Sequence, residues 1–208
     1  MKATGDSVLL AATDLANHLA CEHLTQLERS AAAGVLSRPT WTDPAAEVLQ
    51  QKGFEHERSY LEFLSSTGLE IANAAESGGN ASGRVLELMR AGVDGIAQAV
   101  LEDGRWSGRA DLLLKVGRAS DLGGWSYEVV DTKLARETRA GTILQLCLYT
   151  DLVSRLQGCC PELMHVVAPG GDYQPQSFRT AHYLAYYRQV RRKLAEAVDG
   201  QRVTTYPE

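Results

Sequence analysis

No run of apolar residues in this 208-residue chain approaches the roughly 18 needed to cross a bilayer. The opening segment, MKATGDSVLLAATDLANHLA, has no basic region leading into a continuous apolar core, which argues against a secretory signal. A cytoplasmic protein with no membrane partner is therefore expected. Cysteine is scarce: Cys21, Cys147, Cys159 and Cys160 show neither CxxC pairing nor the density of a disulfide framework, so buried or incidental thiols are the plain reading. Internal repeats and low-complexity segments are missing as well. The one glycine-rich stretch, ESGGNASGR, lacks the GKS/T ending of a phosphate-binding loop and follows no clear strand, so it reads as a linker rather than a nucleotide site. Nor is there an excess of positive charge. A net charge of −5 argues against nonspecific coating of nucleic acid. It leaves room for an enzyme whose basic groups gather in one cleft, with a divalent metal offsetting the acids.

What is present is an ordinary globular composition, 44% hydrophobic and 23% charged, at a length that fits one domain. The first third reads as helical. SVLLAATDLANHLACEHLTQLERSAAAG carries apolar residues at helical spacing, with Thr13 or Asp14 as cap. After the break at SRPTWTDPAA, a helix restarts with Asp43 as N-cap and Pro44 at its first position. AAESGGNASG is a predicted loop and RVLELMRAG a short amphipathic helix. The period then changes to that of strands. GIAQAVLEDGRWSGRADLLLKVG predicts two strands joined through Asp103-Gly104, and WSYEVVDTKL a third. RAGTILQLCLYTDLVSRLQG predicts a strongly amphipathic helix ending at Gly158, followed by strands at ELMHVVAPGG and QSFRTAH and a last helix at YLAYYRQVRRKLAEAVDG. This order implies an α/β sandwich with a mixed sheet.

Two carboxylates interrupt the apolar strands. A charge in the middle of a buried strand is costly unless something compensates it. For Asp111, in GRADLLLKV, and Asp131, in YEVVDTKLA, a salt bridge at a strand end is one reading, Asp111 with Arg109 for instance. Taken together they suggest more, because strands joined by a short turn are usually sheet neighbours. Both can then face one cavity, where like charges repel unless a cation lies between them. Hard oxygen ligands suit Mg²⁺ or Mn²⁺. Residues two apart on a strand share a face, so Lys133 joins Asp131, with Thr132 turned away and its carbonyl available to the metal. An ammonium there can orient water for attack on phosphorus and stabilise the developing negative charge. Glu128 falls on the opposite face and is left as a spectator.

The ordered set GRADLLL, VVDTKLA, LQLCLYTDL and GFEHERSYLEFL resembles the PD-(D/E)xK nuclease superfamily, in particular its RecB-like branch, related to the CRISPR-associated adaptation nucleases. The likeness spans Ser7 to about residue 200. It implies a restriction-endonuclease-like α/β/α core with a mixed central sheet and an N-terminal helical segment. The implied layout is a single RecB-like domain over 1–208, with a helical part at about 7–93 and a catalytic core at about 94–200. It further implies that Asp111, Asp131 and Lys133 are catalytic, and that His56, Asp111, Asp131 and the Thr132 carbonyl hold the metal, with Glu57 a possible substitute for His56. Gln145 and Tyr149 match a QxxxY signature, one helical turn apart on one face. They either pack the helix, or brace the site or touch the DNA backbone. Arg136 and Arg139 stand at the mouth of the site to meet DNA.

Each of these residues also has a plainer reading. His56, between Glu55 and Glu57, can be a solvated histidine. Arg188, Arg191, Arg192 and Lys193, near Tyr183, Tyr186 and Tyr187, can track phosphates and stack on bases, or form a solvated face over core tyrosines. Cys21 corresponds to an early cysteine that in many RecB-like nucleases joins three late ones around a [4Fe–4S] cluster. Neither Cys147 nor Cys159-Cys160 has the matching spacing, so the cluster is expected only in a longer chain, and Cys21 can equally be a core thiol. The abrupt end at VTTYPE suggests a fragment of such a chain, with helicase-like or further nuclease domains as partners. The expected function is metal-dependent DNA hydrolysis in a setting such as DNA repair, acting as an exonuclease on free ends or single strands. The alternative is a module that guides nucleic acid to other domains and hydrolyses little itself.

Overall fold

The computed structural model describes residues 1–4, 7–41, 43–76, 81–170, 172–200 and 204. Part of the glycine-rich linker, at 77–80, lies outside the described residues, as does most of the final VTTYPE. The chain opens with two short strands, β1 (Lys2–Thr4) and β2 (Ser7–Leu9), paired antiparallel. Helices α1 (Ala12–Ala20), α2 (Glu22–Ala32) and α3 (Pro44–Ser66) follow. After β3 (Ile71–Asn73), a 3₁₀ turn at Ala74–Glu76 and α4 (Ala81–Ala91), the main sheet continues with β4 (Gly95–Glu102), β5 (Ser107–Val116) and β6 (Ser126–Thr132). Then come α5 (Ala140–Gln157), β7 (Leu163–Val167), β8 (Gln176–Arg179), a 3₁₀ turn at Thr180–His182 and α6 (Leu184–Asp199).

The six-stranded sheet has the order β3-β4-β5-β6-β7-β8. It is mixed: β3 with β4 and β6 with β7 run parallel, and the other neighbours run antiparallel. The expected α/β class and mixed sheet are therefore what the chain forms. Strand β6 sits centrally and is buried along nearly its whole length, because helices cover both faces. On one face α3 packs Tyr60 and Leu64 against Leu112, Val130 and Val167. On the other, α1, α4, α5 and α6 join Tyr127, Val129, Leu113 and Met164 in the larger core. None of the described helices is long and apolar enough to cross a membrane.

Several expectations need correcting. Ser7–Leu9 is strand rather than helix, and Leu10 continues it by bridging to Trp106. The cap of α1 is Ala11, not Thr13 or Asp14. Asp14 sits one turn inside the helix, accepting from the Ala11 N–H (2.8 Å) and pairing with the terminal amine (2.7 Å). The long first helix is split at Cys21, whose extended backbone (φ −162°, ψ 116°) ends α1 and begins α2. Helix α4 starts at Ala81, inside the stretch expected to be loop. Helix α5 is not amphipathic in the usual sense: Leu144, Leu146, Leu148, Leu152 and Val153 are all buried, since it lies between the sheet and α1 with α6. The caps at Asp43 and Pro44, the Asp103-Gly104 hairpin and the stop at Gly158 form as expected. Asp43 accepts from the Ala45 N–H (3.0 Å), and Gly158 is left-handed (φ 71°) with the Asp121 carboxylate where a Cβ would stand.

Glu128 does lie on the face away from Asp131, but it is not idle. Its Oε1 accepts from the Leu163 N–H (3.0 Å) and its Oε2 lies 2.9 Å from His165 Nε2, while His165 Nδ1 lies 2.9 Å from Ser177 Oγ. This polar ladder crosses β6, β7 and β8 and satisfies a buried carboxylate. Removing its partner would leave that carboxylate uncompensated. His165→Ala is expected to lower unfolding free energy by about 2–4 kcal/mol, whereas Ser177→Ala, at the exposed edge, costs about 1 kcal/mol or less. Urea unfolding followed by circular dichroism measures both, and equal effects would contradict this reading.

Candidate functional site

The site lies where the sheet opens around Asp111. On one side the β4–β5 register passes from Ala97–Leu112 to Ala99–Ala110 without a Gln98–Asp111 rung. On the other the β5–β6 register begins at Leu112–Val130, one rung short of an Asp111–Asp131 pair. Gln98 takes a left-handed backbone (φ 54°), unusual for a residue with a side chain in mid-strand and costing on the order of 1 kcal/mol. The ladder is thus interrupted on both sides of a single aspartate.

Into the opening on the β6 side goes the Asp111 carboxylate. Its Oδ2 accepts from both the Thr132 N–H (2.7 Å) and the Thr132 hydroxyl (2.8 Å). The Thr132 side chain is therefore engaged with the cluster rather than turned away, and Asp111 is held by Thr132 instead of Arg109. Asp131 is fully buried. Its Oδ1 accepts from Gln145 Nε2 (3.0 Å), and its Oδ2 lies 2.7 Å from Lys133 Nζ. That second contact is charge proximity without hydrogen-bond alignment, so Oδ2 is a buried oxygen with no hydrogen-bond partner. Burial raises the Asp131 pKa to about 7, the Asp111 charge adds to the rise, and Lys133 opposes it.

Helix α5 braces this pair. Gln145 also donates to the Tyr149 hydroxyl (3.3 Å), one turn along. Tyr149 is pushed up to about 12 by burial and by the Asp131 charge. It can lie flat on the sheet only because residue 108 is glycine; a Cβ there would meet the Tyr149 ring at 2.2 Å. Among the alternatives for Gln145 and Tyr149, direct bracing of Asp131 is the arrangement found for Gln145. Arg136 and Arg139 are exposed in the segment between β6 and α5, with Arg139 as the α5 N-cap residue.

Helix α3 presents His56 and Glu57 to different neighbours, since adjacent helical residues point about 100° apart. His56 Nε2 lies 3.1 Å from the Val167 carbonyl, which also accepts from the Lys133 N–H (3.0 Å). The ring stacks near Tyr173 (6.2 Å). Since a carbonyl only accepts, Nε2 carries a hydrogen and Nδ1 keeps the lone pair in the neutral ring. Glu57 instead receives the Gln98 amide, and its pKa is raised by burial and by the Asp111 charge, with Gln98, Arg109 and Lys133 opposing. Glu57 and its holder Gln98 thus belong to the electrostatic neighbourhood of Asp111. The sequence pattern had offered Glu57 only as a substitute and Gln98 not at all.

Among the described residues, no three His, Cys, Asp or Glu side chains converge as a ready coordination shell. The donors nonetheless fit a small hard cation. Mg²⁺ is commonly held by one or two carboxylates with several waters, and Asp131 is a buried carboxyl whose Oδ2 has only the Lys133 ammonium beside it and which feels the charge of a second carboxylate, Asp111. On the basic helix α6, Arg188, Arg192 and Lys193 are exposed, and Arg191 is engaged internally. Arg191 pairs with Asp103 and Asp151 and stacks on Trp106, Arg192 stands near Glu196, and Tyr187 is buried and donates to Asp151, leaving Tyr186 as its exposed tyrosine. All four cysteines are free thiols, and Cys21 sits half-buried at the α1–α2 break.

A carboxyl with a folded-state pKa near 7 and an ordinary value of 3.8 keeps a proton that the unfolded chain releases between those values. Its contribution to stability is therefore full below about pH 4 and is lost as pH rises through about 7. Asp131→Asn is expected to stabilise the fold at pH 8 by on the order of 2 kcal/mol, or roughly 4–8 °C in Tm, with the gain vanishing toward pH 4.5. Thermal melts across that range in EDTA test this. A pH-independent shift, or a loss of stability at pH 8, would contradict it.

No family model matches the chain, and no curated protein matches it. Among solved structures it is similar to the crystal structure of SSO0001, which is 13% identical, with 98% of this chain and 82% of that chain covered at a TM-score of 0.42.

Proposed function

We propose that the chain is a Mg²⁺- or Mn²⁺-dependent deoxyribonuclease of the PD-(D/E)xK type, RecB-like, acting in the cytoplasm on single strands or free ends as an exonuclease. The observation that carries this reading is the fully buried Asp131 carboxylate, whose Oδ2 meets only the Lys133 ammonium while the charge of Asp111 acts against it. Asp111 and Asp131, with the Thr132 carbonyl and either His56 Nδ1 or Glu57, would hold the cation. When bound, the cation would offset the carboxylates and polarise the phosphodiester.

The chain's own groups divide the remaining work. Lys133, one-third exposed, can donate to the attacking water or to a non-bridging phosphoryl oxygen as negative charge develops. Gln145 fixes the rotamer of Asp131, and Thr132 fixes that of Asp111, so neither carboxylate needs to reorganise. Arg136 and Arg139 supply positive charge at the rim. Water adds to phosphorus, a P–O ester bond breaks, and the products are a phosphate monoester and a free hydroxyl. A second reading, a guiding module of a longer protein, is favoured by one observation: His56 and Glu57 are both engaged elsewhere, so no three-ligand shell is gathered.

Labelled single-stranded and duplex DNA incubated with Mn²⁺, Mg²⁺ or EDTA separates the two. Cleavage is expected with metal and not with EDTA. It should fall by about 100-fold or more in Asp131→Ala and in Lys133→Ala, the size expected when a group acting in the transition state is removed. Binding without any metal-dependent cleavage would favour the guiding module.

A further inference from the structure

A groove of about 740 Å³ lies between α3 and the β3–β4–β5 side of the sheet. One wall is a stripe of α3 at helical spacing, in which Phe54, Arg58 and Leu61 recur every three or four residues. The floor is Ile71, Ala97 and Gln98, and Arg109 of β5 stands across from the helix. Glu57 also lines the groove, and the Asp111 charge acts on Glu57, so one part of it opens beside the cluster around Asp111.

Three features of this groove bear on what it could hold. Phe54 leaves 45% of its surface in water although an apolar core lies beneath the helix. Arg58 and Arg109 form no ion pair among the described residues, whereas Arg38, Arg84, Arg105, Arg155 and Arg191 each sit against a carboxylate. Gln98 holds a left-handed backbone and spends its amide on Glu57, which keeps that carboxylate against one wall. An exposed aromatic ring with two guanidinium groups that make no close ion pair, though Arg109 feels Glu57 and Arg58 feels Glu55, is a combination that can bind a nucleic-acid strand, the ring stacking on a base and the cations meeting phosphates.

We propose that this groove is the binding subsite for the substrate strand, with Phe54 stacking on an unpaired base and Arg58 and Arg109 holding the flanking phosphates. The inference rests on the nuclease reading for what happens to that strand, but not for its binding. The occupant is single-stranded because duplex bases are stacked on one another and present no free face to Phe54. The cleft is also of the size that admits a small ligand or a few nucleotides. Glu57 and Glu62 share the α3 wall with Arg58 and repel phosphate, so the phosphates are held only at Arg58 and Arg109 themselves.

Fluorescence anisotropy in EDTA, where hydrolysis cannot interfere, tests this with a labelled oligonucleotide, the same strand carrying an abasic position, and a blunt duplex. Phe54→Ala and Arg58→Glu are each expected to weaken single-strand binding by about tenfold. Both are surface changes, so an unchanged Tm should accompany them. Arg192→Glu on α6 should bind as wild type. Abasic substitution should weaken the wild type but not Phe54→Ala, because stacking is what both remove. The proposal is overturned if wild type binds no single strand, if Phe54→Ala and Arg58→Glu bind it as wild type does, or if the abasic strand loses equally in both proteins. Metal-dependent cleavage with unaltered binding in the groove variants removes the groove and keeps the nuclease. Weakened binding without any cleavage by wild type keeps the groove and removes the nuclease.

Discussion

Two negative charges on adjoining strands, one of them fully buried, are the constraint around which the rest of this protein is arranged. Asp131 sits near the C-terminal end of β6, the most enclosed strand, and Asp111 adds repulsion to the cost of its burial. A single lysine only partly opposes this. The fold tolerates the pair by breaking its own ladder there. The β4 side skips the rung at Asp111, the β6 ladder ends at Leu112–Val130, and the Thr132 N–H turns to the Asp111 carboxylate.

Support for the site reaches into both layers. From the larger core, α5 brings Gln145 to Asp131 and Tyr149 to the floor that Gly108 leaves open. Buried on most of its surface, that helix has little freedom to shift. From the other face, α3 brings His56 to the end of β7 and Glu57 toward Gln98. One layer is rigid and polar at a single point; the other is a solvent-lined helix with a groove beside it. The proposed catalytic centre would then have a fixed floor and an open approach.

Much of this was legible in the residues, and the limits have physical causes. The Asp103-Gly104 turn, the buried run of β6 and the stop at Gly158 all rest on local chemistry, which a sequence carries openly. The alternation of Asp131 and Lys133 placed both groups on one side, and the 2.7 Å contact agrees. Three-residue strands such as Ser7–Leu9 and Ile71–Asn73 are too short to display a period of two, and both were hidden. The break at Cys21 has no glycine or proline to announce it. The Thr132–Asp111 bond, the left-handed Gln98 and the preference of Glu57 for Asp111's surroundings arise from how α3 and three strands dock. No local pattern encodes them.

If the two aspartates share a cation, that cation must bind with both present and bind more weakly when either is lost. Mn²⁺ titration followed by electron paramagnetic resonance of the free aquo ion measures this without reference to any substrate. The expected result is saturable uptake of Mn²⁺ by the wild-type chain, weakened about tenfold or more in Asp111→Asn and in Asp131→Asn. Wild-type protein that takes up no Mn²⁺, or uptake that is indifferent to both substitutions, would contradict the account.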